Sequence, residues 1–557
     1  MRVLIVTGGF ITASERSLAA AARKVLTQWR SAEAAWLDLK VKVVAAEQLV
    51  GAALERLSGR AAPEARAFMG RRESVDIPEL AEVVLGTALA REGLGYEAAT
   101  LEELFAEPRR RAALLDACPL VFLSSTLLRD LSELEPILRL LAGPGRRIVL
   151  GGPLATTLAR DGVMPAGVDV LAVGYGEVLV PALAGWARSG FARLEAPEGG
   201  VLTALGSGRV LSSGTPHGLS LDHLETPDWA MAARARGRAP YKVVHYESVR
   251  GCPYRCAFCN YPFLFDDTRF RYKSAERIAS DWERYAAEGA EFVSCLDSLF
   301  TVPPKRNREL CALLARRAVP VRWLCYARAD DLADLSTAKM MRAAGCVQVQ
   351  IGLESGDPGV LSNMNKLCAP ETNLAALENC RKAGITSVVS LVVGFPGETE
   401  ATLEATYRHL KAGRPDFFFL ATFSTRAAGV PVLSAANRAR FGLRAASNPR
   451  TVAPYWAHDT MSCAGVGNHV RALARRVMEE ELSLDAAMFY GGILAFKPSD
   501  RAALLAFQRR ALQRHPWNRA VFDAVNAAVD RRLAADVAAW LCAEPVCAPA
   551  HEELVHA

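Results

Sequence analysis

Three cysteines stand close together in the segment Gly251-Cys252-Pro253-Tyr254-Arg255-Cys256-Ala257-Phe258-Cys259-Asn260. Thiolates spaced CxxxCxxC on one loop can hold three corners of an iron–sulfur cubane, because soft sulfur suits iron. The fourth iron of a [4Fe–4S] cluster is then left for another group. A structural zinc site is the alternative, but zinc usually draws CxxC pairs from two places in a chain, and no second pair stands in this sequence. The chain has 13 cysteines in 557 residues, scattered too widely for a small disulfide framework. Most of them, such as Cys295, Cys325 and Cys346, lie inside apolar runs and read as buried free thiols.

Charged and small residues add two further sets of candidates. Arg328 closes the run Trp323-Leu324-Cys325-Tyr326-Ala327-Arg328, and Glu354 lies in Gly352-Leu353-Glu354-Ser355-Gly356. A fixed cation and a fixed anion can grip a ligand that carries both a carboxylate and an ammonium. An ion pair between the two across a barrel mouth is the alternative. The turn Gly394-Phe395-Pro396-Gly397-Glu398-Thr399 follows a further apolar run. Nearer the N-terminus come Ser124-Ser125-Thr126, Gly151-Gly152-Pro153 and Gly174-Tyr175-Gly176-Glu177. Small residues let backbone approach a large ligand, and hydroxyls can bond it.

These residues need elements to hold them. Residues 1–200 contain the apolar runs Val3–Val6, Leu120–Ser124, Ile148–Leu150 and Val168–Val173, alternating with helical segments such as Ala20–Trp29 and Leu131–Leu141. Alternating strands and helices predict a doubly wound parallel sheet, with ligand turns at the strand ends. An Ala- and Glu-rich stretch between Leu39 and Cys118 shows no clear strand after Val44 and reads as a helical insertion. Residues 201–240 turn to Gly, Ser, Pro and Thr, which predicts a linker or a small hairpin. Residues 241–426 repeat strand then helix six times, with strands at Lys242–Ser248, Phe292–Leu296, Val321–Tyr326, Val347–Ile351, Ser387–Val393 and Phe417–Phe423. That pattern predicts a partial (β/α)6 barrel of TIM type whose functional groups gather at the strand C-termini. Residues 427–557 read as a mainly helical capping region.

The thiol spacing, placed after the first barrel strand, resembles the radical-SAM superfamily over about residues 241–426. In that likeness Arg328 pairs with the SAM carboxylate, Glu354 with Ser355 takes the ammonium, and Gly394 and Pro396 border the adenine. The three small-residue turns ahead of such a barrel resemble the Rossmann-like cobalamin-binding domain of B12-dependent radical-SAM enzymes. The implied cofactors are therefore a [4Fe–4S] cluster, S-adenosylmethionine and cobalamin, with Ser124, Ser125, Thr126, Gly151, Gly152, Pro153, Gly174, Gly176 and Glu177 around the corrinoid. Those domains often supply a lower axial histidine, whereas the first histidine here is His217. The resemblance then implies a corrinoid without a protein histidine, with Arg72 as the arginine beneath it.

Over its whole length the chain is similar to tryptophan 2-C-methyltransferases of thiopeptide antibiotic biosynthesis. That similarity implies methyl transfer from SAM through the corrinoid to C2 of L-tryptophan by a polar route. It suggests Tyr455 and Trp456 as an indole pocket, Glu276 as a protein ligand to the fourth iron, and Tyr254 or His458 as the base for the indole proton. A B12-dependent radical methylase of an sp³ carbon, a porphyrin-type cyclase and a non-catalytic carrier are the alternatives. Composition bounds the partners: the net charge is +6, apolar residues make 51% and charged residues 23% of the chain. No run of five like charges and no apolar run of membrane length appears, so neither nucleic acid nor membrane is expected. The expected setting is cytoplasmic, with a small-molecule substrate and an external reductant.

Overall fold

The computed structural model describes residues 1–9, 35–214, 218–263, 269–424, 429–445 and 455–543. The N-terminal sheet is built from β1 (Arg2–Thr7), β2 (Gly95–Thr100), β3 (Leu120–Ser124), β4 (Arg147–Gly151), β5 (Val170–Val173), β6 (Val201–Leu205) and β7 (Gly208–Ser212), in the order β2-β1-β3-β4-β5-β7-β6. All pairs are parallel except β6 with β7. β3 is buried at every position and β1 at all but its first residue, as expected of strands covered on both faces. Turns after β3, β4 and β5 share one edge of this sheet, the edge where open α/β sheets bind ligands.

Two expectations for this region change in part. β2 was hidden in the stretch read as a helical insertion, because Gly-Tyr-Glu-Ala-Ala-Thr is poor in strand formers; pairing with β1 along six residues overrides that weak propensity. Helix Leu80–Arg91 packs on β1 and β2 and belongs to the same unit. Residues 201–240, read as a linker or small hairpin, do hold a hairpin of β6 with β7, but it extends the sheet and is followed by helix Trp229–Ala235. The expected helix Ala20–Trp29 lies outside the described residues.

The second sheet holds β8 (Val243–Tyr246), β11 (Phe292–Cys295), β12 (Arg322–Ala327), β13 (Cys346–Glu354), β14 (Thr386–Val393), β15 (Phe417–Thr422) and β18 (Leu484–Asp485), all parallel and in the order β18-β15-β14-β13-β12-β11-β8. A short antiparallel ribbon of β9 (Val249–Arg250) and β10 (Arg271–Tyr272) brackets the thiol loop. A second ribbon, β16 (Arg444–Ala445) with β17 (Trp456–Ala457), opens the C-terminal region. Helix Ala275–Ala287 shows why the outer helices form here. Ser274 caps it by accepting from Arg277 N, and Ile278, Trp282 and Tyr285 form a buried stripe against the strands.

Helices Cys463–Glu479, Arg501–Gln513 and Pro516–Ala543 follow, and helix Ala35–Leu57 from the N-terminal region packs among them. Buried charges fix that arrangement: Arg471 and Arg475 reach Glu47, Arg510 and Arg514 reach Glu55, and Lys40 reaches Asp530 at 2.7 Å. Among the described residues no helix is long and apolar enough to cross a membrane.

Candidate functional site

The loop carrying Cys252, Cys256 and Cys259 leaves β9 at a backbone position that admits only glycine. Gly251 has φ +75°, and a Cβ there would lie 2.0 Å from Arg269 O. Asp297, at the end of β11, accepts from Ser248 N, Ser248 Oγ and Val249 N at 2.6, 2.5 and 2.9 Å. Ser298 Oγ donates to Gly251 O at 2.6 Å. Burial raises the Asp297 carboxyl to about 6, against the lowering influence of Arg306 and of its own donors. This acidic segment thus pins the loop. On its far side Ala257 N donates to Met364 O at 2.7 Å, and Val432 N to Ala257 O at 3.0 Å.

All three thiols are partly exposed, and burial pushes Cys256 upward and Cys259 to about 11. Among the described residues no three His, Cys, Asp or Glu side chains close on a single-ion position; a cubane needs its corners farther apart than the ligands of one ion. Three thiols on one pinned, half-open loop fit such a cluster in donor number and type.

Arg328 and Glu354 reach the same mouth but do not pair with each other. The Arg328 guanidinium lies 4.0 Å from the centre of the Tyr254 ring, and it donates to Asp330 Oδ1 at 2.8 Å and Lys366 O at 2.7 Å. Glu354 adopts φ +64° and forms a buried ion pair at 3.0 Å with Lys366 Nζ. A Cβ on Gly352 would meet Glu354 Oε1 at 2.2 Å and Lys366 Nζ at 2.9 Å, so the pair folds over that glycine. Lys366 was not expected; twelve residues separate it from Glu354, and only the turn after helix Pro358–Asn363 returns it. Ser355 is fully buried, with Oγ 3.2 Å from Thr406 Oγ1, so it shapes the turn and does not face a ligand.

The N-terminal turns line a partly open cleft of about 250 Å³. Ser124, Thr126, Gly151, Gly152, Gly174, Gly176 and Glu177 face it. Ser125 and Pro153 serve as supports: Ser125 Oγ donates to Gly151 O at 2.6 Å, and Pro153 opens helix Pro153–Arg160. The cradle leaves no room for side chains, since a Cβ on Gly174 (φ +95°) would fall 2.2 Å from Ser213 Oγ. An apolar slot continues inward between helices Leu80–Arg91 and Gly176–Arg188, lined by Leu80, Val84, Leu179 and Leu183. The opposite wall belongs to the barrel: Glu247, Arg250, Gly251 and Tyr261. Cleft and thiol loop therefore share residues.

The barrel interior is open as well. Trp323 points outward, 5.6 Å from Trp282, so the alternate residues Leu324 and Tyr326 face inward. Tyr326 is 37% exposed, Leu296 41% and Phe419 43%, although β12 and β15 are not edge strands. Gln350 and Ser390, which pair with Tyr326 and Phe419 in register, are half-buried on the same face. Phe417 with Phe496 at 4.8 Å, and Phe68 with Phe489 at 6.0 Å, pack in the aromatic cluster that joins the barrel to the C-terminal region.

Five expected site residues are placed elsewhere. Glu276 is exposed on an outer helix and pairs with Arg317, because the first-turn position that suits the dipole also faces solvent. Arg72 forms an exposed pair with Asp76 at 3.2 Å and does not line the cleft. Trp456 is buried behind the Gly394–Thr399 turn, stacked on His458 and edge-on to Phe423. Tyr455 packs 6.0 Å from Trp540. His458 uses both ring nitrogens, Nε2 at 3.1 Å from Gly394 O and Nδ1 at 3.0 Å from Thr460 Oγ1, so it braces the Gly394–Thr399 turn. Tyr254 does stand at the thiol loop, under Arg328, with its phenol pushed up by burial.

Residues 246–410 match the Radical SAM superfamily. The chain carries a radical SAM domain. Among curated relatives it is 28% identical over 196 residues to an uncharacterized methyltransferase of Pyrococcus horikoshii, covering 34% of this chain and 42% of that protein. It is 29% identical over 289 residues to an anaerobic magnesium-protoporphyrin IX monomethyl ester cyclase of Cereibacter sphaeroides, covering 49% and 46%. The chain thus spans less than half the length of these relatives. The fold is similar to that of the radical S-adenosylmethionine methyltransferase TsrM from Kitasatospora setae. With tryptophan and a SAM analogue bound, that structure matches with TM-score 0.59 and 18% identity, over 81% of this chain and 97% of TsrM. With cobalamin and a [4Fe-4S] cluster bound, it matches with TM-score 0.52 and 20% identity, over 67% and 76%.

Proposed function

We propose that this chain is a cobalamin- and SAM-dependent C-methyltransferase that methylates C2 of L-tryptophan by polar transfer. The observation that carries the proposal is the shared wall: Glu247, Arg250 and Gly251 border the cleft, and Cys252 follows directly on them. A flat ligand in the cleft is thereby held against whatever the three thiols bind. When bound, a corrinoid supplies a cobalt nucleophile for the SAM methyl group, and the cluster with an external reductant supplies electrons.

The chain's own residues divide the remaining work. Cys252, Cys256 and Cys259 hold the cluster, while Gly152, Gly174 and Gly176 let backbone approach the corrin. The apolar slot between Leu80, Leu179 and Leu183 takes an uncharged tail. Arg328 presents a cation and Glu354 an anion to SAM, with Lys366 fixing the carboxylate. The acceptor ring enters the barrel interior between Tyr326 and Phe419, where stacking and apolar contact favour an indole. Both nitrogens of His458 are engaged and burial pushes the Tyr254 phenol up, so neither is offered as the base for the indole N–H proton; the carboxylate of bound SAM would take it. The tryptophan bound to the similarly folded TsrM supports this acceptor.

A porphyrin-type cyclase acting by radical chemistry is the second reading, supported by the likeness to the magnesium-protoporphyrin cyclase over half of the chain. One experiment separates the two. The protein is reconstituted without oxygen with iron, sulfide and hydroxocobalamin, then incubated with SAM and L-tryptophan, and products are followed by mass spectrometry. Methyltryptophan without 5′-deoxyadenosine is the expected result. Deoxyadenosine without methyltryptophan removes both the acceptor and the polar route.

A further inference from the structure

Two arginines of the β9–β10 ribbon reach out of the barrel into the Gly174–Glu177 turn of the N-terminal sheet. Arg250 forms an ion pair with Glu177 at 2.6 Å and with Glu247 at 2.9 Å, and its guanidinium lies 4.3 Å from the centre of the Tyr175 ring. Arg271, its register partner across the ribbon, donates from Nη1 to Tyr175 OH at 2.7 Å. Arg250 and Glu177 side chains are each only 14% exposed, so the contact is little screened by water. Glu177 lies on the cleft; Arg250 stands two residues before Cys252, across the sterically locked Gly251.

We infer that Arg250 is a positioning residue that couples the two cofactor sites, so that cluster assembly on the thiol loop tightens corrinoid binding in the cleft. The inference rests on the cleft being the corrinoid site. Cluster binding fixes Cys252 and, through Gly251, the backbone that aims Arg250. A fixed Arg250 holds Glu177 and Tyr175, which begin helix Gly176–Arg188 and form one side of the cleft. Arg250 and Gly251 are themselves cleft wall, so a ligand there orders the stem of the thiol loop in return. Linkage makes the effect reciprocal, and couplings of this kind typically amount to about 5- to 150-fold in affinity. Arg250 belongs to the β9–β10 ribbon and Glu177 to the helix that follows β5, and their pair is a charged contact between the cleft turn and the loop stem.

The test uses the full-length chain, cluster-free and after anaerobic reconstitution with iron and sulfide, and titrates each with hydroxocobalamin by absorbance. The ratio of the two dissociation constants is the readout. In the wild type, binding is expected to tighten at least about five-fold on reconstitution. In Arg250→Met and in Glu177→Gln the ratio is expected to fall to about one. A merely structural role would weaken both constants equally and leave the ratio unchanged. Glu177→Gln lies on the N-terminal side of the contact, in the first turn of helix Gly176–Arg188, and keeps the readout available if Arg250→Met does not fold. A ratio of one or less in the wild type overturns the coupling, and so does a wild-type ratio that survives in the variants. Failure of hydroxocobalamin to bind either form overturns the assignment of the cleft and the coupling with it.

Discussion

Glu398 shows how a single side chain can hold the turn after a strand in shape. Its buried carboxyl accepts from Gly394 N at 2.5 Å and so closes the Gly394–Thr399 turn from within, while His458 braces the carbonyl of the same glycine. Burial raises this carboxyl from 4.5 to about 7, against the lowering effect of the Gly394 N–H. A raised folded value means the folded chain holds its proton over a wider range than the unfolded chain. The contribution is therefore fully present below about pH 4.5 and is lost as pH rises to about 7. The stability difference between wild type and Glu398→Gln should fall by about 1–3 kcal/mol across that window. Urea unfolding of the cluster-free protein at a series of pH values measures it, and a flat difference would show that the carboxyl is not held protonated. Lys366 illustrates a different arrangement, in which a buried carboxylate is met at 3.0 Å by a cation twelve residues on.

At the scale of elements, the β9–β10 ribbon and the end of β11 form a frame around the thiol loop. Its hydrogen bonds come from Asp297 and Ser298 on one side and from Met364 and Val432 on the other. Gly251 is where that frame has no slack, because its positive φ and the nearby Arg269 carbonyl both exclude a side chain. Gly251→Ala should displace Cys252 and lower the iron and sulfide retained after anaerobic reconstitution several-fold, with little change in far-ultraviolet circular dichroism. Iron retention equal to wild type would show that the loop stem tolerates a shift without losing its thiol geometry.

For the whole molecule, the unexpected feature is that helix Ala35–Leu57 departs from the N-terminal sheet and packs with the C-terminal helices. Glu55 is fully buried between Arg510 and Arg514, and Glu47 lies between Arg471 and Arg475. Chain ends far apart in sequence are thus tied together, with the barrel between them. Removing the acid in Glu55→Ala should cost about 1–3 kcal/mol, less than for a fully buried pair because both guanidinium groups can rehydrate. A lower thermal midpoint, together with faster proteolysis in helix Ala35–Leu57, is the expected measurement. Wild-type proteolysis would mean that the remaining contacts hold the helix without the Glu55 pairs.

Features that depend on local chain chemistry could be read from the sequence. The CxxxCxxC spacing, the apolar-rich runs of β1, β3 and β11 to β15, and the small-residue turns after β3, β4 and β5 each arise from a few adjacent residues. Covalent spacing and backbone permissiveness constrain such segments before any packing occurs. β2 escaped because its pairing with β1, not its composition, makes it a strand. The tertiary structure alone decided which charges meet. Glu354 met Lys366, Glu276 met Arg317, and Arg72 met Asp76, and nothing in the spacing of the first two pairs foretells the choice. The same holds for Trp456 and His458, whose residue types suit a binding pocket but whose place behind Gly394 makes them its support. Long side chains choose partners by where packed elements bring them, since burying a charge is costly unless an opposite charge arrives at the same point. Arg250 joins both kinds of information, for its place beside the cysteines is written in the sequence and its hold on Glu177 exists only in the fold.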